Sequence, residues 1–329
     1  MVYPICLIGA GRIGRIHAAN FANRPDIEVR YIVDYLPEAA ESLASEVGAK
    51  AVDVATALAD SDIKGVVIAS ATNTHADLIE MAAKAGKAIF CEKPIDLDMA
   101  RTKACIKTAH DAGVPLLIGF NRRFDPNFAA LKASLTKGSV GEVEMVHITS
   151  RDPSPPPVSY IKVSGGLFKD MMIHDLDMAR WLLGEEPCEV SAQASCLIDP
   201  EIGAAGDVDS ALVTLKTASG KLCQISNSRR ACYGYDQRVE VHGSKGIIKL
   251  GNQLDSTVSL NQGTGEQSDK IQHFFLERYA EAYRHEAAHF ADILNGKNQP
   301  LVSGTDGEKA LALAEAAKQS LLNGVTIKL

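Results

Sequence analysis

Tyr3-Pro-Ile-Cys-Leu-Ile-Gly9-Ala-Gly11-Arg12-Ile13-Gly14 decides the fold. A mostly apolar run, Tyr3–Ile8, gives way to three glycines in a G-x-G-x-x-G spacing, and Ile13–Asn23 continues with helical periodicity. Strand, tight turn and helix in direct succession open a βαβ unit. Each glycine then has its own task. Gly9 permits the turn, Gly11 lets a pyrophosphate approach the main chain, and Gly14 lets the helix pack against the sheet. The helix N-terminus offers unpaired amides and a partial positive charge to the phosphates. A second apolar run, Val29–Asp34, ends in a carboxylate twenty residues beyond Gly14, where the adenosine ribose hydroxyls of a dinucleotide are bound. Asp34 repels a 2′-phosphate, and neither Tyr35 nor Leu36 supplies a cation to offset it. The reading is therefore NAD rather than NADP.

Outward from this stretch the pattern repeats. Gly65–Ser70, Ala88–Cys91 and Pro115–Gly119 are short runs rich in Val, Ile or Leu, as expected of parallel strands buried on both faces. Pro37–Val47, Thr74–Ala85 and Leu97–Ala112 read as the helices between them, and Gly48, Gly86 and Gly113 stand where a helix ends. Residues 1–121 are thus expected to form a doubly wound parallel sheet of the Rossmann type. Residues 122–329 change character. Helix Pro126–Lys137 precedes a long strand, Val140–Arg151, then a rigid proline loop, Asp152–Pro157, and a helix, Leu167–Leu183. Strands at Glu189–Cys196, Asp207–Thr217, Lys221–Arg230, Gln237–His242 and Gly246–Leu250 are separated by hairpin turn residues such as Ser219-Gly220 and Gly243-Ser244. Helices Leu276–Leu294 and Thr305–Leu322 close the chain. The expectation is an α/β protein whose second domain is α+β, with a large, mostly antiparallel open sheet for substrate binding and oligomerisation.

Composition narrows the function. The chain has 329 residues and a formal net charge of −7, with no block of lysine or arginine, which disfavours nucleic acid as a partner. No apolar stretch is long enough for a membrane span, and Gly9 interrupts the first run before a signal-peptide core can form. The seven cysteines are odd in number and contain no C-x-x-C, which fits reduced thiols in a cytoplasm and argues against a disulfide framework or a thiolate zinc site.

Two places carry candidate chemistry. Glu92-Lys93-Pro94 leaves the fourth strand at the sheet edge where open α/β proteins bind ligands, and Pro94 keeps Lys93 out of helical geometry. Asp170 and His174 stand four apart on a predicted helix, so that Asp170 can orient the imidazole and leave its other nitrogen as a general base. Gly165-Gly166 allows close approach to the start of that helix. Asp177 continues the same face, and Asp175 lies off it. No second histidine stands at ligand spacing, so no metal is expected.

Together these pieces resemble the glucose–fructose oxidoreductase/inositol dehydrogenase family along essentially the whole chain. The glycine loop, Asp34, Thr72-Asn73-Thr74-His75, Glu92-Lys93-Pro94, Gly119–Phe124 and Gly165–Asp175 carry the likeness. The resemblance implies a catalytic set of Lys93, Asp170 and His174. It implies cofactor contacts from Gly9, Gly11, Arg12, Ile13, Gly14, Asp34, Ser70, Thr72, Asn73, His75, Glu92, Lys93 and Arg122, with Asn73, Glu92 and Arg122 on the nicotinamide side. Ser150–Pro153 with its proline loop, Gly165–Asp177 and Tyr233–Val241 draw the chain toward the inositol-oxidising branch of the family. The implied reaction is oxidation of myo-inositol at C2 to 2-keto-myo-inositol, with hydride passed to NAD. Such a substrate is uncharged and rich in hydroxyls. Arg151, Asp152, Tyr235, Gln237 and Tyr283 are therefore candidates for its distal contacts, beside Lys93, Asp170 and His174. Rival readings are an enzyme for scyllo-inositol or an aldose, or a non-catalytic NAD-binding sensor, which would have lost part of the catalytic set. The resemblance also implies sheet-to-sheet dimers assembled into a homotetramer, a dimer of dimers.

Overall fold

Runs of Val, Ile and Leu without polar alternation must be covered on both faces, and the first sheet is built from them. The computed structural model describes all residues, Met1–Leu329. Six strands, β1 (Tyr3–Ile8), β2 (Ile27–Val33), β3 (Lys50–Ala51), β4 (Gly65–Ile68), β5 (Ala88–Glu92) and β6 (Leu116–Gly119), pair in the order β3-β2-β1-β4-β5-β6. Every pairing is parallel. The order reverses between β1 and β4, so the glycine loop after β1 lies at the switch point where doubly wound sheets bind ligands. The connecting helices are α1 (Arg12–Ala22), α2 (Pro37–Val47), α3 (Val54–Ala59), α4 (His75–Lys84) and α5 (Met99–Asp111). Asp98 caps α5 by accepting from the Arg101 amide, and Asp53 caps α3 through Thr56.

The chain divides into two compact units, and the division is not the single cut at residue 121 expected from the sequence. The first unit is Met1–Phe124 with Ala282–Leu311, and the second is Asp125–Glu281 with Ala312–Leu329. The returning segment completes the first core. Phe290 stacks with Phe21 and Phe90 at centroid distances of 6.0 and 5.7 Å, and its ring lies where a side chain at Gly65 would have to go. Val302 accepts from the Ile118 amide, and Ser303 bridges to Leu117 on the open edge of β6. A carboxyl-terminal helix that reads as an amphipathic pattern therefore supplies apolar cover to a sheet that begins at the other end of the chain.

The second unit begins with α6 (Pro126–Thr136), capped by Asp125, and β7 (Val143–Arg151). After α7 (Val158–Ser164), which the sequence reading had left within the loop, come α8 (Ile173–Leu183), β8 (Pro187–Ser195), α9 (Pro200–Ala204), β9 (Ser210–Thr217), β10 (Leu222–Ser228), β11 (Asp236–Gly243) and β12 (Gly246–Leu250). A small hairpin, β13 (Ser259–Gln262) and β14 (Gly265–Ser268), precedes α10 (Phe275–Arg278), α11 (Ala280–Leu294), α12 (Gly304–Asn323) and β15 (Ile327–Lys328). The predicted helix Leu276–Leu294 is thus interrupted at Tyr279. The large sheet runs β12-β11-β7-β10-β9-β8-β15. Only β7–β10 is parallel, so the mostly antiparallel expectation holds. One face, with Val146, Ile148, Val213, Leu215, Cys223, Ile225, Val239 and Val241, is buried, while Met145, Leu212 and Leu222 are exposed. No helix is long and apolar enough to cross a membrane.

Candidate active site

The candidate residues of the first unit lie along the carboxyl edge of the parallel sheet. Gly9 has φ +108°, and a side chain there would meet the Ala69 and Ser70 main chain within 2.6 Å. A side chain at Gly14 would collide with the Gly9 carbonyl. Both glycines are thus required by the protein's own turn. Gly11 differs, since nothing lies within 4 Å of a side chain built there. It stands at the N-terminus of α1, where no side chain caps the helix. Free space and unclaimed amides at that point suit a pyrophosphate, with Arg12 and Ile13 flanking it. Asp34 is held facing this loop, accepting from the Ala10 amide at 2.6 Å and the Leu36 amide at 2.9 Å. Each carboxylate oxygen retains acceptor capacity for a ribose hydroxyl. The residues present fit an NAD cofactor.

Further along the same edge, Ser70 Oγ and Thr74 Oγ1 lie 2.7 Å apart, and Thr72–Thr74 form one 3₁₀ turn that leaves Asn73 exposed. His75 stands apart from the other expected cofactor ligands. It is buried, with Nδ1 2.8 Å from the Pro94 carbonyl and Nε2 3.1 Å from the Ser70 carbonyl. Burial pushes its pKa down against the opposing pull of the two carbonyls, and the ring braces the loops that carry Ser70 and Pro94. Glu92 ends β5, Lys93 follows it half-buried, and the Lys93–Pro94 bond is cis. Arg122 sits buried in the turn Asn121–Phe124 after β6. Tyr283, an expected substrate contact, belongs to this unit and is buried, with its ring 5.6 Å from that of His17.

The candidate residues of the second unit are set by a broken helix. The predicted Leu167–Leu183 helix is a π-helical turn, Leu167–Met171, followed by α8. Such turns carry i→i+5 bonds and recur at functional sites. Asp170 lies within the π turn, and His174 stands in the first turn of α8. Asp170 accepts from Tyr160 Oη at 3.0 Å and lies 3.8 Å from Arg229. Arg229 is almost fully buried and also lies 3.9 Å from Asp207. Asp207 accepts from the Leu167 amide with both oxygens at 3.0 Å, and its carboxylate occupies the space a side chain on Gly166 would need. The close approach that the glycine pair permits is thus to Asp207, and it fixes the start of the π turn. Asp175, off the expected face, is fully buried and accepts from Asn227 at 2.9 Å.

Arg151 and Asp152 follow one another at the end of β7, and Arg151 donates to Tyr233 at 3.4 Å. Gln237 is buried on β11. Its Oε1 accepts from Ser150 at 3.1 Å and from Tyr279 at 3.5 Å, while no protein acceptor reaches its Nε2. Tyr235 packs edge-on against Tyr279 at 5.9 Å. The sequence reading missed Tyr160, Arg229 and Asp207, whose roles depend on contacts between distant segments. It also missed Glu286, although a glutamate in the helical stripe Ala282, Tyr283, Ala287, Phe290 was a visible signal.

Known proteins share this architecture throughout. Residues 4–120 match the oxidoreductase family, NAD-binding Rossmann fold, and residues 132–329 match the oxidoreductase family, C-terminal alpha/beta domain. The inositol 2-dehydrogenase of Rhizobium meliloti (strain 1021) is 53% identical over 315 residues, 96% of each chain. The myo-inositol 2-dehydrogenase of Thermotoga maritima is 46% identical over 99% of this chain and 98% of its own. The crystal structure of a myo-inositol dehydrogenase from Corynebacterium glutamicum superposes with a TM-score of 0.95 at 44% identity, covering 100% of this chain and 99% of that one. Sequence, fold and glycine loop converge, and the chain belongs to this family of NAD-dependent oxidoreductases with a Rossmann domain and a carboxyl-terminal α/β domain.

Proposed function

We propose that the protein is an inositol 2-dehydrogenase that oxidises myo-inositol at C2 to 2-keto-myo-inositol with NAD. The observation that carries this reading is the identity of 53% and 46%, over almost the full length, to two enzymes that bear the name. The intact set Lys93, Asp170 and His174 favours an enzyme over a sensor on the same fold.

In this reading His174 takes the proton from the reacting hydroxyl. Asp170, itself anchored by Tyr160 and Arg229, fixes the imidazole and stabilises its charged form. Lys93 donates to the reacting oxygen as it gains alkoxide character. NAD, when bound, accepts the hydride from the carbon. Asp34 and the glycine loop hold the adenosine half. Arg151, Asp152, Tyr235, Gln237 and Tyr283 read the remaining hydroxyls, and Gln237 has an amide Nε2 available for this. A panel of myo-inositol, scyllo-inositol and aldoses with NAD and NADP, followed by nicotinamide absorbance, tests the assignment. Turnover of an aldose without turnover of any inositol overturns the substrate, and equal use of NADP overturns the role of Asp34.

The exposed face of the large sheet, with Met145, Leu212 and Leu222, supports a homotetramer built by sheet-to-sheet pairing. A monomer in light scattering would remove that part of the proposal. Seven free cysteines accord with a cytoplasmic setting.

A further inference from the structure

Beneath the turn that carries Lys93 lies a second group of ionisable side chains, within the first unit and outside the set assigned above. His17 on α1 and Glu286 on α11 are both fully buried, and Glu92 at the end of β5 is nearly so. One nitrogen or oxygen atom from each lies within 4.8 Å of the other two. His17 Nε2 donates to Glu92 Oε1 at 2.7 Å, since a carboxylate can only accept. The other face of the Glu92 carboxylate rests on β6, where a side chain at Gly119 would stand 3.0–3.1 Å from its carbon and oxygens. Glu92 is therefore held from two sides.

Glu286 is the unexplained member. No hydrogen-bond donor reaches either of its oxygens. Beside it stand His17 from α1 and Glu92 from β5, and Tyr283 and Phe290 lie one turn to either side on its own helix. An ionised carboxylate here would be a second buried negative charge beside the first. Two carboxyl groups this near one another disfavour double ionisation, and the fully buried one is the one to keep its proton.

We propose that Glu286 is a positioning residue for Lys93: as an uncharged carboxylic acid it leaves Glu92 as the sole anion of the cluster and offers it an O–H donor. With His17 and Gly119 it fixes the residue to which Lys93 is directly bonded, and so the reach of the lysine ammonium. Burial, followed by the neighbouring Glu92 carboxylate, pushes the Glu286 carboxyl well above the usual range, in agreement. The same three side chains form a donor set for a divalent cation. The His17–Glu92 distance of 2.7 Å is nevertheless a hydrogen bond, shorter than the ~3.3 Å between two ligands on tetrahedral zinc.

The inference rests on the assignment of Lys93 as a catalytic residue, and the test separates the two. Full-length enzyme is assayed with NAD and myo-inositol as Glu286→Leu, Glu286→Gln and Lys93→Met. Glu286→Leu is expected to lower kcat by about tenfold or more, with KM for NAD changed by less than about twofold and no loss in melting temperature. Glu286→Gln, which keeps an uncharged donor, is expected to restore kcat to within about threefold. An infrared band of a protonated carboxyl at neutral pH should be present in the parent and absent from Glu286→Gln. Wild-type kcat in Glu286→Leu, an equal fall in Glu286→Gln, no such band, or a stoichiometric metal that chelators remove together with activity would each overturn the inference. If Glu286→Leu does not fold, Glu286→Met and the infrared band carry the test. Full activity in Lys93→Met overturns the catalytic assignment instead.

Discussion

The two units reach their chemistry by different means. In the first, every expected residue except Tyr283 stands at or shortly after a strand end, and one parallel sheet aligns those ends along one edge. Local sequence and final position nearly coincide. In the second, Asp170 and the start of its π turn are held by Asp207, Arg229 and Tyr160, drawn from three other segments. A motif on a parallel sheet edge is positioned by topology, whereas a motif on a distorted helix is positioned by the carboxylates and cations that hold the distortion.

This contrast can be broken most directly at the proposed chemistry. Lys93→Met and His174→Asn should each lower kcat by ~10²–10⁴, the usual range for a lost acid–base or charge-stabilising group. An unaffected His174→Asn would leave the second unit without its assigned role.

A smaller effect, on stability, separates local from long-range positioning. Arg229→Met leaves Asp170 and Asp207 without their buried cation and should lower unfolding free energy by ~3 kcal/mol, read by denaturant titration. In the first unit Gly14→Ala should lower the melting temperature even without cofactor, because its side chain meets the Gly9 carbonyl. Gly11→Ala should leave the melting temperature unchanged and weaken only NAD binding. If the two glycine variants behave alike, the division between turn and ligand glycines is wrong. Asp34→Ser should raise the Kd for NAD by ~10-fold or more, since a hydrogen bond to a charged group contributes ~1.5–3 kcal/mol.

The smallest expected effect is a pair of opposite pH slopes. Burial by itself would raise the Asp209 carboxyl in the second unit, but donation from the Leu197, Ile198 and Asp199 amides and Ser210 holds it below the usual range. Its folded pKa lies below its unfolded value of ~3.9. The stability it contributes is therefore present above about pH 4 and lost as pH falls through the folded value. Glu286 in the first unit is raised instead, so its contribution is complete below an unfolded value of ~4.3 and declines as pH rises toward its folded pKa. Scanning calorimetry of Asp209→Asn should show a deficit at pH 7 that shrinks below pH 4. Glu286→Gln should match the parent near pH 4 and exceed it increasingly above pH 5.

Legibility in the sequence follows the same line. The Rossmann sheet, its strand ends and the glycine roles could be read because they depend on neighbours in sequence. Five of the six parallel strands were found, and the sixth, Lys50–Ala51, is too short to carry a pattern. The π turn was hidden because Leu167–Leu183 carries ordinary helical periodicity. Its first amide, Leu167, is held by the Asp207 carboxylate, forty residues away. The return of Ala282–Leu311 was hidden for a similar reason, since an amphipathic helix does not state which sheet it covers. The unusual residue inside that stripe, Glu286, was the one clue that it lies against something other than apolar packing.

That return has a consequence for biosynthesis. The dinucleotide-binding unit begins with β1, but Phe290, Val302 and Ser303 leave the ribosome only after the whole of Asp125–Glu281. Until they arrive, Phe21 and Phe90 lack their partner ring, and the open edge of β6 lacks its Ser303 bridge. The unit that starts first therefore cannot finish first. Throughout synthesis of the intervening second unit, the nascent chain carries an unfinished apolar surface of the kind that chaperones recognise.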